Sequence, residues 1–330
     1  MKIERIDMKH RYKLQEYRGA NTRHTCPKCG HKNEFTRYVD QYGKILDESC
    51  GRCNREKCGY HLTPNDFFKM NGKPKNTTTN IPTLTAEKRE RLYIKYSANY
   101  KDTHRKDNNL WKWMSSVYGE SKANKVFDLY KVNTIRHWRY KGGYSTAFQQ
   151  IDEQSRIMQV KVMAYNPTNG KRLKKDTEIE IWNTSKNAFV KDTRCQDRIF
   201  YAGKSILHDY NANLEQGFFG QHLIREGVTI GIVESEKTAM ICTLEYPDIV
   251  WIATGGCNGC KWTNENVYRV LRKAKRVALY PDSGMYEKWI EKAIILRKGG
   301  VNITKVSKYC EGYTDNTDIA DIIIAQRTSH

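Results

Sequence analysis

Ten cysteines are spread unevenly along the 330-residue chain, and five of them fall between Cys26 and Cys58. They read Cys26-Pro-Lys-Cys29-Gly30-His31, then Cys50-Gly-Arg-Cys53, then Cys58-Gly-Tyr-His61. A Cys-x-x-Cys turn offers two thiolates on one knuckle, and tetrahedral Zn2+ takes four thiolate or imidazole ligands. Cys26, Cys29, Cys53 and Cys58 are the favoured set, with Cys50 or His61 as substitutes. Clustered thiols without a secretory signal read as metal ligands in a reducing compartment, not as disulfides. Cys257 and Cys260 have no partner pair nearby and read as buried or incidental thiols.

The second set of chemically capable residues is acidic. Glu234 closes the apolar run Val228-Thr-Ile-Gly-Ile-Val233, and Asp282 follows Arg276-Val-Ala-Leu-Tyr280. Between these runs, Ile249 to Thr254 is another apolar stretch, ending in Gly255-Gly256. Strands of this kind alternate with helical stretches at 238–244, 267–274 and 286–298, and a strand at 302–306 precedes a last helix near Asp318. That alternation predicts a mainly parallel sheet with flanking helices, and such sheets bind ligands beyond the carboxyl ends of their strands. Glu234 and Asp282 would both stand there. Paired carboxylates in that position can hold Mg2+ or Mn2+ against phosphates. Gly255 and Gly256 let backbone approach a ligand, and Lys237 can meet a phosphate at a helix N-terminus.

Other elements position these groups. Asn33 to Ile45 predicts a hairpin around Gln41-Tyr42-Gly43, which makes the cysteine segment a zinc β-ribbon. Arg37, Tyr38, Lys44, Arg52 and Arg55 mix cations with an aromatic ring there, the chemistry that holds phosphates and stacks bases. Residues 69–85 are polar with two prolines and read as linker. Apolar spacing predicts helices over 109–114 and 123–130, with their aromatic residues in the core. Beyond Ser145 the period shifts to two, predicting strands over 146–151 and 158–165 before an Asn166–Gly170 turn and the basic run 171–175. This stretch reads as a small α+β module.

The formal charge is +20. Residues 1–150 carry 31 basic and 15 acidic side chains, and residues 151–330 carry 26 and 22. The excess therefore sits on the ribbon half, and a polyanion is its natural partner. No stretch approaches the ~20 apolar residues of a membrane span. The expected setting is cytoplasmic, with no membrane partner.

The acids and their neighbours resemble a known family. Glu234-Ser-Glu-Lys-Thr-Ala239, the glycine turn after the second strand, Phe219-Gly-Gln-His-Leu223, Pro281-Asp-Ser-Gly284 with Trp289, and Asp318-Ile-Ala-Asp321 are similar to primase-like Toprim proteins. The resemblance extends to a largely uncharacterised family of bacterial mobile elements and phages that joins a zinc ribbon to such a domain. It implies an α/β fold with a C-terminal Toprim-like parallel sheet, preceded by the small α+β module and an N-terminal zinc β-ribbon. The corresponding division is 1–68 basic arm and ribbon, 69–90 linker, 91–220 middle module and 221–330 Toprim-like domain.

The resemblance further implies that Glu234 is the Toprim glutamate and Asp282 the first acid of an Asp-x-Asp metal motif. Gly284 stands where the second acid belongs, so Glu287, Asp318 or Asp321 would have to replace it. The activity implied is Mg2+- or Mn2+-dependent nucleotidyl transfer on single-stranded DNA, in a bacterial or phage-infected cell, with a replicative helicase or polymerase as possible partner. The alternatives are a DNA-binding accessory protein with a degenerate site, or a metal-dependent nuclease.

Overall fold

The computed structural model describes residues 12–16, 19, 22–40, 43–55, 57–71, 92–94, 102–194, 198–209, 212–256, 259–314 and 316–328. Gln41 and Tyr42 of the anticipated hairpin, residues 72–90 of the anticipated linker, and Cys257 lie outside these. The chain forms two compact units, Met1–Thr85 and Ala86–His330. Among the described residues no helix is long and apolar enough to cross a membrane.

The first unit is an antiparallel meander of β1 (Lys13–Leu14), β2 (Phe35–Val39), β3 (Gly51–Cys53) and β4 (His61–Leu62), hydrogen-bonded in that order. A sheet this small buries little apolar surface, and Phe35 with the cysteines supplies most of its core. Helix α1 (Pro64–Asn71) follows, three residues into the stretch read as linker. Thr63 starts it, its hydroxyl accepting from the Asp66 amide while proline takes the first helical position.

The second unit begins with α2 (Asn109–Tyr118) and α3 (Glu120–Leu129). The side chain of Asn108, fully buried, caps α2 by accepting from the Leu110 and Trp111 amides. Next come β5 (Asn133–Tyr140), β6 (Gly143–Ile151), β7 (Ile157–Met163), β8 (Glu180–Asn183), β9 (Ala188–Lys191) and β10 (Ile199–Tyr201). They form one antiparallel sheet in the order β10-β7-β6-β5-β8-β9. A short helix, α4 (Gly203–Ile206), leads out of it.

The chain then alternates as the sequence predicts. It runs through β11 (Thr229–Val233), α5 (Glu236–Glu245), β12 (Val250–Ala253), α6 (Glu265–Tyr268), β13 (Arg276–Leu279), α7 (Tyr286–Lys298), β14 (Ile303–Val306) and α8 (Ile319–Thr328). All pairings are parallel, in the order β12-β11-β13-β14. Both faces of this sheet are apolar, as helices on either side require. Ile230, Ile232, Ile252 and Leu279 bury one face against Leu271 and Trp289. Val233, Trp251 and Ala253 bury the other against α5, α8 and the α2–α3 pair.

That second core crosses residue 220, the anticipated domain boundary. Tyr130, at the end of α3, stacks on Phe219 at 4.9 Å. Its hydroxyl lies 2.7 Å from both the Trp251 carbonyl and the Thr243 hydroxyl. Trp111 and Trp113 are core residues, 6% and 4% exposed.

Candidate functional sites

The ribbon brings Cys26, Cys29, Cys53 and Cys58 together, with all four sulfurs within 4.8 Å of one another. Cys26 and Cys58 are 3.8 Å apart, and Cys29 and Cys53 are 4.0 Å apart. A tetrahedron with Zn–S bonds of ~2.3 Å has edges of roughly 3.8 Å, so the thiols stand as a structural zinc site requires. Burial pushes the Cys53 thiol up to about 12, whereas the His31 amide draws Cys29 down to about 6. The two substitutes are engaged elsewhere. Cys50 is buried and donates to the Leu62 carbonyl, and His61 pairs its Nε2 with the Tyr38 hydroxyl at 3.0 Å.

The ribbon's anticipated nucleic-acid contacts divide between faces. Arg52 lies opposite both Thr36 and His61 in register, and Tyr38 is two residues along from Thr36. The Tyr38 ring stacks on His61 at 6.1 Å and 9°, so one face carries Tyr38, Arg52 and His61. Arg37, opposite Gly51, belongs to the other face. Lys44 is exposed in the turn after β2, and Arg55 is half-buried between Cys53 and Cys58.

In the second unit the carboxyl edge of the parallel sheet gathers the acids. Glu234 follows β11, and its carbonyl accepts from the amides of Gly255 and Gly256 at 2.9 and 3.1 Å. Gly255 has φ +85°, and a Cβ there would lie 3.4 Å from a Glu236 carboxylate oxygen, so the turn suits glycine in both respects. The loop after β13 is sewn to the loop before α8. Ser283 donates its amide to the Thr317 carbonyl and its hydroxyl to Tyr313. That stitching carries Asp318 towards Asp282. Asp318 also caps α8 by accepting from the Asp321 amide at 2.8 Å, and it accepts from the Thr238 hydroxyl.

The electrostatics register this crowding. Burial, then Glu234, Asp318 and Asp321, push Asp282 up to about 8. Glu234 is raised by burial and partly held down by Lys292 and Lys161. Asp318 is raised by burial and by Asp321. Glu287 is exposed on the first turn of α7. Lys237 turns its ammonium to the Gly170 carbonyl at 3.3 Å and over the Trp113 ring at 5.4 Å. Among the described residues, the four cysteines are the one group of three or more ligand atoms lying within 4.8 Å of one another, and the acids are not drawn together that closely.

Three residues at this edge escaped sequence reasoning. Lys161, from β7, places its ammonium 3.0 Å from both Glu236 carboxylate oxygens and 2.9 Å from the Gly255 carbonyl. Lys292, on α7, lies over Trp262 at 4.8 Å and Trp289 at 5.6 Å and is the larger of the two cationic influences that hold Glu234 down. Glu311 accepts from the Gly284 amide at 3.3 Å, so a carboxylate reaches the backbone position that lacks one of its own. Gly284 has φ +79°, which disfavours a side chain there. Lysine on a β-strand and glutamate in a loop carry no local signal. Only Lys292, three residues after Trp289 on a predicted helix, had a spacing that could have suggested its neighbour.

A zinc ribbon and an α/β unit with acids at the carboxyl edge of a parallel sheet define the class. The family described as "Domain of unknown function (DUF6371)" matches residues 108–283, more than half of the chain, and the protein belongs to that family. A zinc beta-ribbon finger family matches residues 10–73. None of the curated proteins compared with the chain matches it.

Among solved structures, the Aquifex aeolicus primase (zinc-binding and RNA polymerase domains) is similar at 15% identity and a TM-score of 0.36, over 66% of this chain and 46% of that one. The chain thus spans less than half of that structure. The primase fragment of the bacteriophage T7 primase-helicase is similar at 10% identity and a TM-score of 0.36, over 93% and 96%. The E. coli primase catalytic core is similar at 12% identity and 0.34, over 64% and 59%.

Proposed function

We propose that the protein is a primase-like Toprim enzyme that transfers nucleotides on a single-stranded DNA template with the help of Mg2+ or Mn2+. The observation that carries this reading is the gathering of Glu234, Asp282, Asp318 and Asp321 at the carboxyl edge of a parallel sheet, where burial and mutual repulsion hold Asp282 protonated up to about pH 8. Hard carboxylate oxygens in excess of nearby cations are the donor set a divalent ion takes. Such an ion would neutralise phosphate charge in the transfer.

The chain's own residues divide the remaining work. Glu234, half-buried and raised, is suited to accept and release a proton at its carboxylate. Lys292 would meet a phosphate near Glu234, the Gly255 turn would let backbone approach it, and Gly256, open on its Cβ side, would leave room for a nucleotide. Residues 1–68 would grip template through the ribbon, with 69–90 as linker and 91–220 and 221–330 building the active unit. A helicase or polymerase partner belongs to the same proposal, as does an origin on a mobile element or phage.

The test is synthesis of labelled primers from nucleoside triphosphates on single-stranded DNA with Mg2+ or Mn2+. Activity lost in Glu234→Gln supports the reading, and shortening of the template would mark a nuclease instead. Gly284 in place of a second acid favours one other outcome, salt-sensitive DNA binding with no product, which would mark an accessory protein.

A further inference from the structure

One face of the antiparallel sheet is buried over β6 and β7, where Phe148 and Lys161 pair, but its part over β5, β8 and β9 carries rings and charges. In register, Arg139 lies opposite Tyr144 and Glu180, Glu180 opposite Lys191, and Trp182 opposite Phe189. Side chains two apart share a face, so all six stand on one side of β5, β6, β8 and β9. Trp138 and Ile181, paired with each other, take the other side and enter the core. A register shift in β5 between Ile135 and Arg139 brings Arg136 to the outer face as well.

The outer face is a continuous set of rings and guanidinium groups. Tyr144 stacks on Phe189 at 5.7 Å and 16°, and Trp182 meets Phe189 edge-on at 5.2 Å. The exposed Arg136 guanidinium lies 5.0 Å from the Trp182 ring, 5.6 Å from Tyr144 and 5.8 Å from Phe189. Arg139 lies 4.7 Å from Phe189 and pairs with Glu180 through two hydrogen bonds. Lys191 pairs with Glu178. With those carboxylates engaged, Arg136, Lys141 and Lys186 have no ion-pair partner among the described residues, so the hairpins keep a positive surplus beside the rings. β9 ends the sheet, which leaves this side open along its edge.

We infer that this face, with Tyr144, Trp182 and Phe189 beside the Arg136 guanidinium, is a stacking platform for single-stranded DNA. Every base offers a π-face to an aromatic ring, and unpaired cations beside the rings meet the phosphates. The choice of DNA over RNA rests on the proposed function, because rings and guanidinium groups do not distinguish the two sugars. The platform continues the sheet face on which Phe148 pairs with Lys161, the lysine that reaches Glu236.

The experiment measures binding of a labelled oligothymidylate to the full-length protein by fluorescence anisotropy across a salt series. Trp182→Ala should weaken binding by about tenfold, and Trp182→Phe, which keeps a ring, should retain it. Arg136→Gln should lower the slope of log Kd against log salt by about one. Photocrosslinking with an iododeoxyuridine-substituted strand should mark peptides containing Trp182 or Phe189. A Trp182→Ala protein that melts earlier but binds as tightly as the parent would show a purely structural cluster and overturn the inference. Preference for an RNA oligomer would overturn the assignment to DNA. If the parent makes no primers yet loses binding in Trp182→Ala, the platform stands and the catalytic reading falls.

Discussion

Lys161 and Glu236, separated by 75 residues in sequence, form a buried ion pair in which the ammonium also binds the Gly255 carbonyl. The side chains are 5% and 1% exposed. The pair joins a strand of the antiparallel sheet to the first turn of α5 and to the glycine turn behind Glu234. Removing one partner leaves the other charged and buried, which costs about 3–5 kcal/mol. Lys161→Met should therefore unfold the second unit at markedly lower urea, and Lys161→Met with Glu236→Leu should recover much of the loss. A single variant within about 1 kcal/mol of the parent would place the pair with weak surface ion pairs.

Asp282 gives a pH signature to the metal-free protein. Its carboxyl is raised from 3.8 to about 8 in the fold. The folded state thus holds a proton that the unfolded state has released, and this contribution to stability declines as pH rises from about 4 to 8. Asp282→Asn should remove that decline and raise the melting temperature at pH 8 in the presence of a chelator. On the proposed function Mn2+ would compete with the same proton, so its affinity for the parent should increase with pH through about 8, measured by calorimetry. Melting curves with the same pH dependence in parent and variant would remove Asp282 from this role.

Lys292 lies over two tryptophan rings, and its charge lowers the Glu234 carboxyl. If it stabilises phosphate charge during transfer, Lys292→Ala should lower turnover on the order of a hundredfold, with Lys292→Arg retaining part of it. Losing this cation also lifts Glu234 further, so the acid limb of the pH–rate profile should move to higher pH. An unchanged limb would separate Lys292 from Glu234.

Glu311 can be examined through metal binding alone. Its carboxylate accepts from the Gly284 amide, beside Asp282. Glu311→Gln should weaken Mn2+ binding severalfold by electron paramagnetic resonance without lowering the melting temperature, and unchanged affinity would exclude it as the replacement acid.

The ribbon prediction concerns identity and count. Elemental analysis should find one zinc per chain, as expected for four thiolates around one ion. Cys58→Ser should lose it, while Cys50→Ser should keep it because Cys50 binds the Leu62 carbonyl instead. Chelation should unfold the first unit, whose apolar core is little more than Phe35 and the cysteines, and spare the second.

The sequence by itself determined the cysteine knuckles, the alternation that builds the parallel sheet and the chemistry of both, but not the strands β5, β8, β9 and β10. Four cysteines on two knuckles, apolar runs alternating with helical spacing, and acids at strand ends are local patterns, because ligand identity and hydrophobic period depend only on near neighbours. The helix over 286–298 and the parallel strands stand where those patterns put them. Tertiary structure decided the choices that spacing leaves equal. Cys53 with Cys58 stands at the metal site, while Cys50 is turned away by strand alternation and its bond to Leu62.

Only folding could bring Lys161 to Glu236 and Glu311 to Gly284. It also turned alternate residues of four strands into one aromatic and cationic face. These are contacts between elements far apart in the chain. Their geometry follows from sheet register and helix packing, and no residue carries a record of its distant neighbour.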